Sequence, residues 1–100
     1  MTKNKNELFI GRLGRDPELK YTRKLKPVCH LAVGINESDK AEWKKVVVWG
    51  EQAELCKTHL KKGQSVFVQG QIKEQSYINK KGEDQSYLEV NASLVGFTNL

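Results

Sequence analysis

Seven residues of this chain combine flat aromatic rings with cations in one repeating pattern. Trp43 and Trp49 flank Lys45, Phe67 and Tyr77 flank Lys73, and Tyr87 follows on a separate segment. Within each strand-like run these positions share a parity, and side chains on a β-strand alternate between its two faces. An aromatic face stacks on other planar rings, and an ammonium pairs with phosphate. For any single aromatic, packing against the fold or against a second subunit is the competing role. Five aromatics of one parity, interleaved with cations, point to a binding surface.

Other chemistries find little support. His30 and His59 have no serine or cysteine arrangement for nucleophilic catalysis, although Cys56 and His59 are neighbours. The acidic residues are scattered, mostly beside lysines. No P-loop or GxGxxG motif occurs. Cys29, His30, Cys56 and His59 match no usual zinc spacing, having neither a C-x-x-C nor paired histidines. The sequence therefore predicts a non-enzymatic protein without cofactor or metal. Two cysteines fit a reduced compartment and give no disulfide framework.

The elements that carry the pattern are mostly strands. Residues 8–10 form a short apolar run ending at Gly11-Arg12-Leu13-Gly14, where glycines permit a sharp bend. Asp16-Pro17 starts a turn, and residues 18–22 resume extended structure. Residues 28–35 alternate, with Cys29, Leu31, Val33 and Ile35 on one face. Residues 36–42 are polar and predict a short connecting loop. Residues 43–50, WKKVVVWG, are strongly β-forming.

Residues 51–60 form the one good helix candidate, with Ala53, Cys56 and Leu60 as a narrow apolar stripe. Lys61, Lys62 and Gly63 are expected to close it. Residues 65–73 form the next strand, continuing in parity to Tyr77. Residues 79–82, NKKG, signal a hairpin turn, and residues 87–95 form the return strand. The expected architecture is all-β: a five-stranded OB-fold barrel with one short helix between the third and fourth strands. Its expected interior is Leu31, Val33, Ile35, Val46, Val48, Val66, Val68, Ile72, Leu88, Val90, Ala92 and Leu94. One domain spans residues 1–100, which suits a chain of this length.

Charge is unevenly placed. Residues 1–30 hold eight basic and three acidic side chains, whereas the other seventy residues hold nine of each sign. The entire net charge of +5 thus lies in the first third, and a local basic surface suits a polyanion. Single-stranded nucleic acid meets both requirements: its bases stack on aromatics at roughly 1–3 kcal/mol each, and its phosphates attract cations. Such a surface accepts RNA as well as DNA. No apolar run approaches the roughly 18 residues of a membrane span, and residues 1–9 lack a signal-peptide core. The expectation is a cytoplasmic, nucleoid-associated protein.

Several segments, in order, resemble the bacterial single-stranded DNA-binding proteins. They are LFIGRLGRDPELKYT at 8–22, Leu31-Ala32-Val33, EWKKVVVWG at 42–50 with Ala53-Glu54, LKKG at 60–63 and VFVQGQI at 66–72. The resemblance implies an OB-fold that binds single-stranded DNA in replication, recombination and repair. The partner form it implies is a homotetramer, with a dimer as the alternative, in contact with replication or repair proteins.

By position, the resemblance makes Trp43, Trp49, Phe67 and Tyr77 stacking residues. It makes Arg12, Lys20, Lys45, Lys62 and Lys73 phosphate contacts; charge and neighbourhood add Arg15, Lys24 and Lys80. Three departures stand out. The 36–42 segment lacks a tryptophan that many relatives place there. Lys44 replaces a histidine that relatives carry near a subunit contact. The sequence ends at Leu100 without the long acidic-tipped tail usual in the family. The last departure also fits a tailless primosomal or replication-restart accessory protein, which is the alternative expectation.

Overall fold

The computed structural model of the chain describes residues 5–37 and 40–97. Six strands and one helix follow in order: β1 (Lys5–Leu13), β2 (Glu18–Tyr21), β3 (Pro27–Glu37), β4 (Lys40–Trp49), α1 (Glu51–His59), β5 (Ser65–Ile78) and β6 (Asp84–Phe97). The sheet runs β1-β5-β6-β4-β3-β2, and β1 also pairs with β3. That last pairing closes β1, β5, β6, β4 and β3 into the expected five-stranded OB-fold barrel. The short β2 is an added strand, so α1 follows the fourth strand in chain order rather than the third.

Closure depends on the GRLG bend. Residues from Lys5 to Arg12 pair with β5, whereas Arg12 and Leu13 pair with Gly34 and Val33 of β3. After the turn, β2 takes up the same edge of β3, from Glu18 opposite His30 to Tyr21 opposite Pro27. Gly11 lies at the crossing. A Cβ there would stand 2.5 Å from the Gly34 carbonyl oxygen and 2.6 Å from a Val33 methyl. Asp16 and Pro17 fix the turn to the far side of α1. The Asp16 carboxylate accepts the Lys62 N–H at 2.8 Å. Pro17 is buried, and its carbonyl accepts from the Lys57 ammonium.

The interior is aliphatic, as alternation predicts. Leu31, Val33, Val46, Val48, Val66, Val68 and Val90 are buried, and Ile72 and Ala92 pack against them. A fully buried valine contributes on the order of 1.5–3 kcal/mol over an exposed one. Two expected interior residues face outward instead: Leu88 is 63% exposed and Leu94 45%. Their reasons differ. Leu88 keeps inner parity but lies opposite Glu74, where the β5–β6 ribbon has run past the barrel. Leu94 follows a bulge: Gln69 pairs with Leu94 but Gly70 with Ala92, so Ser93 is extra and parity inverts. Val95 becomes the inner residue. The bulge is held from the helix, because the Gln52 side chain donates to the Ser93 carbonyl and accepts the Val95 N–H.

Two other local expectations change. The 36–42 segment is mostly strand: β3 and β4 pair through Glu37 opposite Lys40, leaving only residues 38 and 39 outside the described residues. Gly63 does not cap the helix. Leu60 occupies that position in extended conformation, its N–H donating to the Cys56 carbonyl. Gly63 instead adopts φ 89° and donates to the Leu13 carbonyl, tying the loop after α1 to the barrel closure.

Helix α1 buries Ala53 and Cys56 against the barrel, with Leu60 beyond its end. Cys29 and Cys56 are both buried, free thiols in that seam. Burial pushes both thiols up, and the neighbouring Cys29 adds to the effect on Cys56, which reaches about 12. Between the ordinary thiol value and 12 the folded chain keeps a proton that the unfolded chain has lost. Stability from this source is therefore complete below about pH 9 and falls as pH rises towards 12. Denaturant titrations between pH 7 and 10.5 are expected to show a loss on the order of 1 kcal/mol per pH unit above pH 9. The slope should flatten in Cys56→Ala; an unchanged slope in that variant would assign the loss to other groups.

Candidate nucleic-acid interface

The strand registers assemble one outer face from residues far apart in sequence. On β4, Trp43, Lys45, Val47 and Trp49 point away from the interior. Opposite them on β3 stand Gly34, Ala32, His30 and Val28. Beyond β3, Glu18 and Lys20 of β2 continue the His30 and Val28 rows. On the other side, Lys45 lies beside Glu89 of β6, and Glu89 lies opposite Lys73 of β5. Further out, Gln75 faces Tyr87 and Tyr77 faces Gln85. Lys20, Trp49, Lys45, Trp43, Lys73 and Tyr77 thus share a single face crossing five strands.

The aromatics on it are open. Trp43 is 59% exposed, Trp49 40% and Tyr77 51%. Trp43 rests on a glycine bed. Gly34 is its register partner, and a Cβ there would stand 3.0 Å from the indole; a Cβ at Gly14 would run into the same ring. The two glycines let the indole lie against the backbone while the rest of it meets solvent. This gives Gly14 of the GRLG bend a role that spacing alone did not reveal.

Cations stand beside the rings. The Lys45 ammonium lies 4.3 Å from the Tyr87 ring centroid, and that of Lys26 lies 5.2 Å from Trp49. Tyr77 and Tyr87 are 6.0 Å apart with tilted rings. A groove of about 270 Å³ runs between Arg15, Lys20, His30, Lys45 and Tyr87. A second, of about 300 Å³, lies between Trp43, Lys45, Tyr87 and Leu88. Parity grouped Tyr87 with the aromatic face without assigning it a contact, and Lys26 and His30 were not among the predicted site residues. Tyr87 had the signal, since its parity matches Tyr77 across the hairpin; Lys26 and His30 are placed only by the fold. The face is not purely basic: Glu18 pairs with Lys20 at 2.9 Å, and that hydrogen bond holds the Glu18 carboxyl below its ordinary value.

The remaining predicted residues lie elsewhere. Arg12 is exposed in the Gly34–Trp43 row, at the edge of the face. Lys24 is in the β2–β3 turn, Lys80 is at the tip of the β5–β6 hairpin, and Lys62 follows α1 behind the Asp16 turn. Phe67 is set apart. It stands six residues before Lys73 on β5, between Ile10 and Gly96, with its ring over Gly96. Lys44 points to the inner side, where its ammonium bridges Glu7 at 3.0 Å and Glu42 at 3.2 Å beside the Phe9 ring. Burial works against that charge, but the two carboxylates outweigh it and raise the lysine above its ordinary value. Among the described residues, no group of three or more histidine, cysteine or acidic side chains is placed to hold a metal ion, and no helix is long and apolar enough to cross a membrane.

The arrangement offers an open stacking track flanked by exchangeable cations. Comparison with known proteins agrees with that chemistry. The profile of the single-strand binding protein family matches residues 4–98. The chain is 30% identical over 89 residues to single-stranded DNA-binding protein 1 of Chlorobaculum tepidum, covering 80% of this chain and 55% of that protein. It is 31% identical over 95 residues to the single-stranded DNA-binding protein of Neisseria meningitidis, covering 86% and 55%. The chain spans about half the length of these relatives. With an OB barrel, the outward aromatic face and a family match across nearly its whole length, the chain belongs to the single-strand binding protein family.

Proposed function

We propose that this chain is a non-catalytic protein that coats single-stranded DNA with little sequence preference, in the bacterial cytoplasm, during replication, recombination and repair. The observation that carries this reading is the shared outer face, on which Trp49, Lys45 with Tyr87, Trp43, Lys73 and Tyr77 are aligned. Bases stack on Trp43, Trp49 and Tyr77. Phosphates run past Arg15, Lys20, Lys45 and Lys73, with Arg12, Lys24, Lys62 and Lys80 as outlying contacts. Every base has a π face, so the track tolerates any sequence.

The chain also works as a homo-oligomer on this reading. The outward side of β1, β5 and β6 is apolar, with Leu8 66% exposed, Ile10 72%, Phe67 38% and Leu94 45%. Ile10 is opposite Phe67, and Leu8 and Leu94 flank Gln69. The other edge of β1, before Arg12, has no strand partner among the described residues. An open edge beside an apolar face supports antiparallel β1–β1 pairing into a dimer, with the faces stacking into a tetramer. Phe67 fits that contact better than it fits a base.

Titration with oligo-dT is expected to quench tryptophan emission, with log Kobs falling against log salt by about 0.7 per phosphate contact. Trp43→Ala and Trp49→Ala should each weaken binding roughly fivefold to 150-fold without unfolding the barrel. Salt-insensitive binding, or no quenching, would refute the DNA reading. Gly14→Ala should displace the Trp43 indole and weaken binding like Trp43→Ala, with thermal melting used to confirm the fold. Light scattering after size exclusion should give a tetramer, or a dimer, that Ile10→Lys dissociates; a monomeric wild type would exclude the oligomer.

A further inference from the structure

A carboxylate stands in the middle of a face suited to phosphate. Glu89 has the outer parity of β6, since its neighbour Val90 is buried. Its register partners are Lys45 on β4 and Lys73 on β5, so a cation flanks it on each side. The Lys45 ammonium is nevertheless turned to the Tyr87 ring, at 4.3 Å from its centroid. Among the described residues, the Glu89 carboxylate has no hydrogen-bond or ion-pair partner. Glu18, the other carboxylate of the same groove, is held by Lys20. Glu89 is half-buried and lines the groove of about 270 Å³ beside His30, Lys45 and Tyr87. An unpaired acceptor in that place repels phosphate and adds nothing to the core, so neither backbone binding nor packing accounts for it.

The stacking rings bracket this position. Trp43 and Trp49 are separated by roughly 20 Å of β4. Between them the outer side chains are polar: His30 on β3, Lys45 on β4, Glu89 and Asn91 on β6, and Gln71 and Lys73 on β5. Glu89 follows Tyr87 on the same strand face, roughly 7 Å along β6. Tyr87 and Trp43 line one groove together. A base stacked on either ring therefore turns an edge towards Glu89. Stacking is indifferent to base identity, but an edge is not.

A carboxylate accepts hydrogen bonds and donates none. Guanine offers it the best edge, because its N1–H and N2 amino group lie side by side and match the two carboxylate oxygens. Cytosine and adenine each offer one amino group beside a bare ring nitrogen, which repels the second oxygen. Thymine offers one N–H between two carbonyls. In an unpaired strand these edges are free. Bidentate, charge-assisted pairs of this kind are both strong and geometrically selective. Lys45 and Lys73 offset the repulsion between Glu89 and the phosphates on either side.

We propose that Glu89 reads base edges, giving the interface a preference for guanine over thymine at one position of the bound strand. The proposal rests on the DNA-binding reading above and limits its tolerance of sequence at that position alone. Glu18 does not compete, because Lys20 already occupies its carboxylate.

The experiment uses an oligo-dT one site long in which one thymine at a time is replaced by guanine or by hypoxanthine, the guanine analogue without the N2 amino group. A lone guanine avoids the four-stranded structures of guanine runs. Affinity is read by fluorescence anisotropy of the labelled oligomer for wild type and Glu89→Gln, with thermal melting to confirm the fold. At one position the wild type should bind guanine about fivefold more tightly than thymine, and hypoxanthine should lose most of that gain. In Glu89→Gln the guanine preference should vanish, while affinity for plain oligo-dT should be no lower, since a charge opposing phosphate is gone. A merely structural Glu89 would instead give a variant that binds every oligomer less tightly with the preference intact. That result, or a wild type that binds guanine and hypoxanthine like thymine at every position, would overturn the base-reading role alone. The hypoxanthine comparison needs only the wild type, so it decides the matter even if the variant fails to fold. Failure of the wild type to bind plain oligo-dT would overturn the DNA reading as well.

Discussion

The structure depends on the crossing of β1 over β3. Only Arg12–Gly34 and Leu13–Val33 make that pairing, yet it turns a sheet into a barrel. The approach is tight enough that Gly11 has no room for a side chain. Closure gives the sheet a single inside, which valines and leucines fill. Once the inside is full, every other side chain must face out, and the choice of what faces out becomes functional. The same bend delivers Gly14 beneath Trp43 and carries β2 along the same edge of β3. Barrel closure and the seating of the Trp43 indole are thus consequences of one stretch of backbone.

Much of this was legible from alternation. The strongly patterned strands revealed their faces directly: residues 43–49 separated Trp43, Lys45 and Trp49 from Val46 and Val48, as the structure bears out. The helix and the β5–β6 hairpin also followed from local signals. What alternation missed were events outside a single strand. The Ser93 bulge inverts parity and sends Leu94 outward, and nothing in the sequence around it differs from regular strand. Leu88 kept its parity and lost its barrel, because the length of a ribbon beyond a closed sheet is a tertiary property. The polar 36–42 segment looked like a loop because its propensity is weak, but pairing along the β3–β4 hairpin overrides propensity.

Site residues divide by the same logic. Parity and charge identified Trp43, Trp49, Lys45, Lys73 and Tyr77, which the registers bring onto one face. Parity also grouped Phe67 with them, since it shares a strand face with Lys73. A long, coiled β5 separates the two: one end borders β1 and the other extends beside β6. Two residues of equal parity then meet different neighbours. The inward lysine, Lys44, illustrates the converse. It stands where relatives carry a histidine, and inner parity puts it between Glu7 and Glu42, where paired carboxylates sustain the charge that burial opposes.

The outer surface of so small a barrel is therefore not uniform but divided by strand. β2 and β4 carry the cations, and β4 both indoles, with β3 between them. The outward sides of β1 and the near half of β5 carry bare aliphatics and Phe67. The back of the far β5–β6 ribbon carries carboxylates and aliphatics. Exposed leucine and isoleucine are ordinary when scattered, but here they are sorted, and each group sits beside a different polar partner. Sorting of that kind has no benefit to an isolated folded chain, whose stability depends on the interior. It is intelligible when more than one contact must be made without competing, because each sorted group then serves a surface of its own.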